Sequence, residues 1–234
     1  MSLTTYQQPL KKTEECDFCN EFAGGQDNAY SRLYGDELAN RVLCGNREFA
    51  VLPSLGQLAE GHLLVVPIKH YTATADLSSE LREQFLRLVA SVRRTLSQIY
   101  SPPVLFEHGV RGSSAGGCGV EHAHLHMVPF PSENEPIAGL RREFAFEPID
   151  TLGDLGRRVP SKSPYLYYEQ RDGKKWVVGV DYVPSQYLRK AVATSLGTHQ
   201  WDWRNASTQR SLLESVSRLA PAFQQMQLNG SFVL

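Results

Sequence analysis

The strongest constraint on the fold is a short segment in which histidines alternate with apolar residues. His122, His124 and His126 are separated by Ala123 and Leu125, so three of the chain's seven histidines fall within five residues. Residues two positions apart share one face of a β-strand. We therefore predict a strand with three imidazoles on one face and an apolar face against a core. Imidazoles this close must share protons, bind a metal ion or tolerate mutual crowding.

The composition excludes several classes of protein. The chain has 234 residues, 41% hydrophobic and 21% charged, as in an ordinary soluble globular protein. A net charge of −1 argues against a surface that coats nucleic acid generally. Apolar runs fall short of the roughly 18–20 residues that cross a bilayer. Residues 1–15 form a polar arm without the apolar core of a signal peptide. We expect a cytoplasmic protein without a membrane partner.

The cysteines indicate thiol or metal chemistry. Four cysteines are too few for a disulfide framework in a chain of this length. Cys16 and Cys19 form a CxxC motif, whose two thiolates can reach one tetrahedral ion. A pair of small core residues and a redox pair are the open alternatives. The metal interpretation requires two further ligands.

The first half of the chain predicts a sheet and one long helix. Strand-like segments at 41–44 and 48–52 flank a turn and predict a hairpin. The apolar run after His62 predicts a buried strand that ends at Pro67. Apolar residues recur at helical spacing over 81–99, after the candidate N-cap residues 78 and 79.

A glycine-rich loop at 112–119 follows a predicted strand at 104–109 and leads into the histidine segment. Glycines let backbone N–H groups approach an anion closely. The spacing matches neither a P-loop nor a dinucleotide fingerprint. Beside three histidines, the loop is a candidate phosphate cradle.

The remaining chain predicts a second module. We divide the sequence into a polar arm (1–15), a catalytic domain (16–135), a connection (136–160) and an extension (161–234). In the extension, Asp172-Gly173 signals a hairpin between two aromatic-rich strands. Two predicted helices and the aromatic cluster 201–204 follow.

The segment 122–128 resembles the signature of the histidine triad (HIT) superfamily. Gly61–Pro67 is similar to the superfamily's Gly-His-x-Leu-Val-x-Pro strand, and the CxxC lies where zinc-containing members carry theirs. The order of predicted elements also matches, and the resemblance covers residues 14–131. It implies an α+β fold: an antiparallel sheet packed on a long helix, here with a smaller α+β C-terminal extension.

The resemblance also implies nucleotidyl chemistry. His124 corresponds to the nucleophile that attacks the α-phosphorus of a nucleotide, and His126 would help to hold the phosphate and the leaving group. This predicts a hydrolase or nucleotidyltransferase that cleaves a phosphoanhydride or phosphoramidate in a dinucleoside polyphosphate or nucleoside phosphoramidate. The alternatives are a dinucleoside polyphosphate phosphorylase and, in a different class, a non-catalytic nucleotide- or RNA-binding protein on the same scaffold.

In zinc-containing relatives, the first histidine of the motif binds a structural zinc ion together with the CxxC pair and an upstream histidine. The corresponding residues here are Cys16, Cys19, His70 and His122, a ligand set that closes a tetrahedral site. The alternative is a metal-free triad with two reduced thiols.

Around the triad, the sequence departs from the family pattern. Ser54 stands where many members carry an acidic residue for the ribose hydroxyls. Gly119 replaces a hydroxyl that often contacts phosphate, and His108 replaces a polar amide. Seven residues are expected on the substrate side: Ser54, His62, His108, Ser113, Ser114, Cys118 and Gly119.

The extension is weakly similar to the domain that follows the triad-like domain in splicing-associated CwfJ-type proteins. The similarity lies in the aromatic residues 165–168, the segment 185–190 and the cluster 201–204. We interpret the extension as a packed cover over the sheet or the active-site mouth. The alternative is an RNA- or partner-binding surface built on Arg189, Lys190, Trp203 and Arg204.

The expected partners are a nucleotide substrate and, from the habit of the family, a second copy of the chain in a homodimer. A nucleic-acid partner is open but not favoured.

Overall fold

The computed structural model describes residues 16–35, 41–111, 120–160, 163–205 and 208–228. Within these ranges the strands form an eight-stranded sheet in which every neighbouring pair is antiparallel. In chain order the strands are β1 (Cys44–Gly45), β2 (Phe49–Pro53), β3 (Leu63–Pro67), β4 (Pro103–Gly109), β5 (Leu125–Pro129), β6 (Glu147–Ile149), β7 (Tyr165–Glu169) and β8 (Lys175–Gly179). Their order across the sheet is β1-β2-β3-β5-β4-β7-β8-β6.

The α-helices lie on both faces of this sheet. They are α1 (Asp17–Phe22), α2 (Ala29–Tyr34), α3 (Ser79–Ile99), α4 (Ile137–Glu143), α5 (Leu155–Arg158), α6 (Tyr187–Ser195) and α7 (Gln209–Leu228). Antiparallel strands and separate helices confirm the predicted α+β class. Among the described residues, none of the helices combines the length and the apolarity that a membrane span requires.

The long helix α3 covers one face of the sheet. Ser78 caps it as predicted, because its hydroxyl accepts a hydrogen bond from the Leu81 N–H. Phe85, Leu88 and Val92 repeat at helical spacing and pack on Val65 and other inward residues of the strands. This core leaves the opposite face of the sheet for other elements.

On that opposite face, two separate apolar clusters flank a gap. One cluster joins Phe18 of α1 to Leu52 and Leu64. The other joins Phe106 of β4 to Leu188 of α6. The gap between α1 and α6 lies over the middle of the sheet, where β3, β5 and β4 are neighbours.

The extension continues the same sheet. β7 pairs with β4 over five residue pairs, from Leu105↔Glu169 to Gly109↔Tyr165. The predicted connection also contributes, since β6 from this stretch pairs with β8. The division into a catalytic domain and an extension stays a prediction.

The histidine segment is only partly a strand. β5 begins at Leu125, so His122 and His124 precede the ladder. The Ala123 N–H donates instead to the carbonyl oxygen of Tyr71, 2.6 Å away, and not to a ladder partner. This contact holds the approach to β5 against the chain that leaves β3.

Candidate active site

His126 lies at the centre of the part of the sheet beneath the gap between α1 and α6. Its cross-strand neighbours are Leu64 on β3 and Phe106 on β4. The imidazole stacks on the Phe106 ring, with centroids 4.4 Å apart and an angle of 12° between the planes. Packing from both sides therefore restricts the orientation of the ring.

A chain of hydrogen bonds determines which nitrogen of His126 carries the proton. The Leu58 N–H donates to Nδ1 of His62 over 3.2 Å, so neutral His62 carries its proton on Nε2. That nitrogen lies 2.9 Å from Nδ1 of His126 and donates to it. Neutral His126 is consequently protonated at Nε2. Burial lowers the pKa of both imidazoles well below the ordinary value.

His124 has the opposite arrangement. Its Nδ1 lies 2.6 Å from the carbonyl oxygen of His122, and because a carbonyl only accepts, Nδ1 carries the proton. In neutral His124, Nε2 therefore keeps its lone pair. The rings of His124 and His126 meet edge to face, with centroids 4.9 Å apart and an angle of 67° between the planes. Burial lowers the pKa of His124, which favours the neutral form.

The four residues predicted as zinc ligands lie together beside the triad. One ligand atom from each of Cys16, Cys19, His70 and His122 falls within 4.8 Å of all the others. Nδ1 of His122 is 3.4 Å from Cys16 Sγ and 3.7 Å from Cys19 Sγ, and Nδ1 of His70 is 3.4 Å from Cys19 Sγ. Around a tetrahedral zinc ion with bonds of about 2.0–2.3 Å, ligand atoms are separated by roughly 3.3–3.8 Å. The three separations between Nδ1 and Sγ atoms fall in the range for such an ion.

The tautomer of His122 fits a metal as well. Its Nε2 lies 2.8 Å from the carbonyl oxygen of Pro67, so Nε2 carries the proton and Nδ1 turns its lone pair toward the thiols. Burial lowers the pKa of His122 to about 4 and raises that of Cys16 to about 11. A divalent cation would offset the burial of two thiolates. The described residues can therefore hold zinc, which is compatible with the predicted cofactor.

A cavity opens over the triad, in the gap between α1 and α6. His124 and His126 form part of its floor, beside Leu64 and Phe106. The N-terminal part of the chain supplies Phe18 to one wall. Further lining residues come from the extension, namely Gln186, Tyr187, Leu188, Arg189 and Trp203. The cavity thus has walls from both parts of the chain.

The structure separates the residues predicted on the substrate side into three groups. Ser54 and His108 line the cavity. His62 does not, because its fully buried imidazole lies behind His126. The predicted contacts from Ser113, Ser114, Cys118 and Gly119 lie outside the described residues.

The alternative interpretation of the extension placed Arg189 on an outer binding surface, whereas the structure places it in the cavity wall. Its side chain is 4% exposed, and its guanidinium reaches the oxygen atoms of Ser54 and Gly56. The sequence spacing indicates this burial, because Arg189 shares one face of α6 with three apolar residues. The buried residues of that face are Leu188, Arg189, Val192 and Ala193.

Comparisons with known proteins identify relatives of the chain. A family model described as "Protein similar to CwfJ C-terminal" matches residues 7–143, the part that carries the triad. The chain is 23% identical over 176 residues to CWF19-like protein 1 of Xenopus laevis, covering 70% of this chain and 31% of that protein. It thus spans about a third of the length of this relative.

Two further relatives match a shorter part of the chain. Protein hit of Bacillus subtilis is 28% identical over 116 residues, covering 50% of this chain and 71% of that protein. AP-4-A phosphorylase of Mycobacterium tuberculosis is 34% identical over 95 residues, covering 40% of this chain and 48% of that protein. These matches confirm the resemblance to the HIT superfamily.

Proposed function

The chain belongs to the family of proteins similar to the C-terminal region of CwfJ, and we propose that it is a histidine-triad nucleotide hydrolase or nucleotidyltransferase. The observation that carries the proposal is the tautomer of His124. Its Nδ1–H is engaged by the His122 carbonyl, so Nε2 is a neutral nucleophile in a residue that lines the cavity.

In the proposed reaction, Nε2 of His124 attacks the α-phosphorus of a phosphoanhydride or phosphoramidate. A P–N bond forms to His124, and the bond from phosphorus to the leaving group breaks with its electron pair on that group. The carbonyl oxygen of His122 stabilises the positive charge that develops on the ring. Water or another acceptor then attacks the phosphorus, which releases the nucleotide and restores His124.

His126 would act beside the nucleophile. With Nδ1 occupied by His62, its Nε2–H donates a hydrogen bond to a phosphate oxygen or the leaving group. His62 would serve as a positioning residue that holds the tautomer and the ring of His126. This role replaces the direct substrate contact predicted for His62.

The four-ligand cluster would hold a structural zinc ion through Cys16, Cys19, His70 and His122. These four residues would connect the start of α1 with the segment that follows β3 and the segment that precedes β5, and a bound ion would supply the cross-link. Because His122 also supplies the carbonyl that orients His124, the cluster would stabilise the position of the nucleophile.

For the substrate, we propose a dinucleoside polyphosphate or a nucleoside phosphoramidate. The name of the mycobacterial relative supports the first class, and a phosphorylase is a second candidate because phosphate can replace water as the acceptor. A non-catalytic nucleotide- or RNA-binding role is the alternative, to which the CWF19-like relatives lend weight. An unblocked Nε2 on His124 favours catalysis.

The experiment is a substrate panel assayed with wild type, His124→Ala and His199→Ala. The panel holds diadenosine tetraphosphate and adenosine phosphoramidate, each with and without inorganic phosphate, and products are identified by mass spectrometry. We expect turnover and an acid-quenched nucleotidyl-protein in wild type and in His199→Ala, whose altered histidine is exposed in the extension. The His124→Ala variant should show neither.

Each outcome assigns the protein to one class. Phosphate-dependent turnover identifies a phosphorylase, and phosphate-independent turnover identifies a hydrolase. Nucleotide binding without turnover of any panel member would favour the non-catalytic role. Full activity in His124→Ala would refute the mechanism.

A further inference from the structure

Two arginines are found among the described residues that line the cavity, and they differ in whether a carboxylate pairs with them. Among the described lining residues, Arg41 forms two hydrogen bonds of 2.7 Å to the carboxylate of Glu21. Asp17 is likewise paired with Arg32, at 2.7 Å. Arg189 has no such partner in the described parts of the chain.

The contacts of Arg189 are all with neutral oxygen atoms. Nε donates to the carbonyl of Trp201 over 3.0 Å, Nη2 to the carbonyl of Gly56 over 2.7 Å, and Nη1 to the hydroxyl of Ser54 over 3.3 Å. Asp202 acts on Arg189 only at longer range, and its carboxylate accepts from Gln186 instead. A buried guanidinium without a counter-ion is costly in a folded protein.

These contacts orient the guanidinium without using all its donors. The group has five N–H donors in a planar fork, which matches phosphate geometry. Three donors are engaged by the contacts above, and each terminal nitrogen makes only one of them. The fold therefore holds a cation in the cavity wall with donors left for an anion.

A close contact between the extension and the loop at Gly56 places Arg189 in the cavity wall. A Cβ atom on Gly56 would lie 2.9 Å from Nη2 of Arg189 and 2.6 Å from the Cα of Trp203. The close approach of the extension to this loop thus requires glycine at position 56.

Other groups in the cavity supply little positive charge. Burial lowers the pKa of His108 to about 4 and that of His126 well below its ordinary value. Both imidazoles are therefore neutral near pH 7. A substrate phosphate in this cavity would find its charge complement in Arg189.

We propose that Arg189, supplied by the extension, is the residue that binds a phosphate group of the nucleotide in this cavity. The inference rests on the proposed function in one respect, that the ligand is a nucleotide. It gives the extension a part in substrate binding that the triad part alone does not provide.

The test compares the binding of AMP with that of adenosine, because the two ligands differ only in the phosphate. Calorimetry on the full chain should show at least tenfold tighter binding of AMP to the wild type. Arg189→Gln should reduce this preference to less than threefold, and Arg189→Lys, which keeps the charge without the fork, should be intermediate. Lys190→Gln removes an exposed charge from the next residue and is the matched control.

A measurement on the unmodified protein covers the case in which the Arg189 variants fail to fold. The ¹⁵Nε resonance of Arg189 should shift on addition of AMP and stay in place on addition of adenosine. An unchanged AMP preference in folded Arg189→Gln, the absence of an AMP preference in wild type, or a resonance insensitive to AMP would each overturn the inference.

Failure of the proposed function gives a different pattern. His124→Ala should keep the AMP preference, since the nucleophile is not the proposed anion site. If wild type turns over no nucleotide but its AMP preference depends on Arg189, catalysis is refuted and the inference stands. If turnover occurs and Arg189→Gln retains wild-type AMP preference and kcat/KM, the inference fails and the function stands.

Discussion

Two groups of histidines lie side by side in this protein, and neighbouring members are held as opposite tautomers. His122 donates from Nε2 to the Pro67 carbonyl and turns Nδ1 toward two thiols. His124 donates from Nδ1 to the His122 carbonyl and leaves Nε2 without a proton. The side chains are identical, and the backbone carbonyls within reach decide which nitrogen is available. One short segment thus directs one imidazole lone pair toward two thiols and leaves a second lone pair without a proton in a residue that lines the cavity.

The largest loss of activity is expected when the proposed nucleophile is removed. His124→Ala should lower kcat on the best substrate by roughly 10³-fold or more, because the group proposed to form the covalent bond is removed. Bound zinc, measured by mass spectrometry, should remain at wild-type content. Loss of zinc in this variant would show that the two groups are not separable.

The reciprocal change removes one of the proposed zinc ligands and leaves His124 in place. Cys19→Ser should abolish zinc binding and lower Tm by roughly 6–12 °C, the shift that corresponds to about 3 kcal/mol in a chain of this size. Chelation of wild type should lower Tm to a similar degree. Cys44→Ser is the matched control, since Cys44 is buried in the other core, away from the cluster. Wild-type protein purified with less than about 0.2 equivalents of zinc would contradict the assignment.

A smaller loss of activity is expected from His62, the residue that hydrogen-bonds to His126 from behind. His62→Leu removes the donor to Nδ1 of His126, so that ring can adopt the other tautomer. We expect kcat to fall roughly tenfold to a hundredfold, as is typical when the partner that orients a functional imidazole is lost. KM should change little, because His62 does not line the cavity. A selective rise in KM would indicate a direct substrate contact instead.

The last prediction concerns stability alone, and it turns to the face of β4 that lies away from the cavity, where Glu107 precedes His108. The Glu107 carboxylate accepts hydrogen bonds from the Thr74 N–H and the Tyr165 hydroxyl on the α3 face, and burial raises its pKa to about 7. Between pH 4.5 and 7 the unfolded chain releases this proton while the folded chain retains it. The group's contribution to stability is therefore complete below pH 4.5 and is lost as the pH rises to 7.

Glu107→Gln should remove this pH dependence. The free energy of unfolding of wild type minus that of the variant should decline by up to about 1.4 kcal/mol per pH unit across this window, and then level off above pH 7. Denaturant titrations at several pH values measure the difference, with exposed Glu80→Gln as the control. A difference that stays constant from pH 5 to pH 8 would contradict the raised pKa.

Periodic patterns in the sequence predicted the elements that local residues specify. The apolar spacing after Ser78 predicts α3, and the alternation around His126 predicts a strand with an apolar face, which the chain forms from Leu125 onward. The start of β5 at Leu125 was not predictable, because it depends on the contact between Ala123 and Tyr71. The tautomers of the histidines could not be predicted from the sequence either, since each depends on a carbonyl or an amide that the fold brings close.

Arg189 shows a different limit of sequence reasoning. The sequence left two positions open for this residue, within a packed cover or, as the alternative, on an outer binding surface together with Lys190. The helical stripe shared with Leu188 and Val192 carried the contrary signal. That stripe indicates burial, but the position of Arg189 opposite Ser54 depends on how the extension packs, more than a hundred residues away in the chain.

The pairing of β7 with β4 has a consequence for aggregation and assembly. Without the extension, β4 would be a seven-residue outer strand of apolar composition, with unpaired N–H and C=O groups open to any other chain. With it, the outermost strands are β1 and β6, of two and three residues. Edges this short offer little template for further pairing. The extension therefore protects the chain from edge-to-edge association, and a second copy that joined along β4 would first have to displace it.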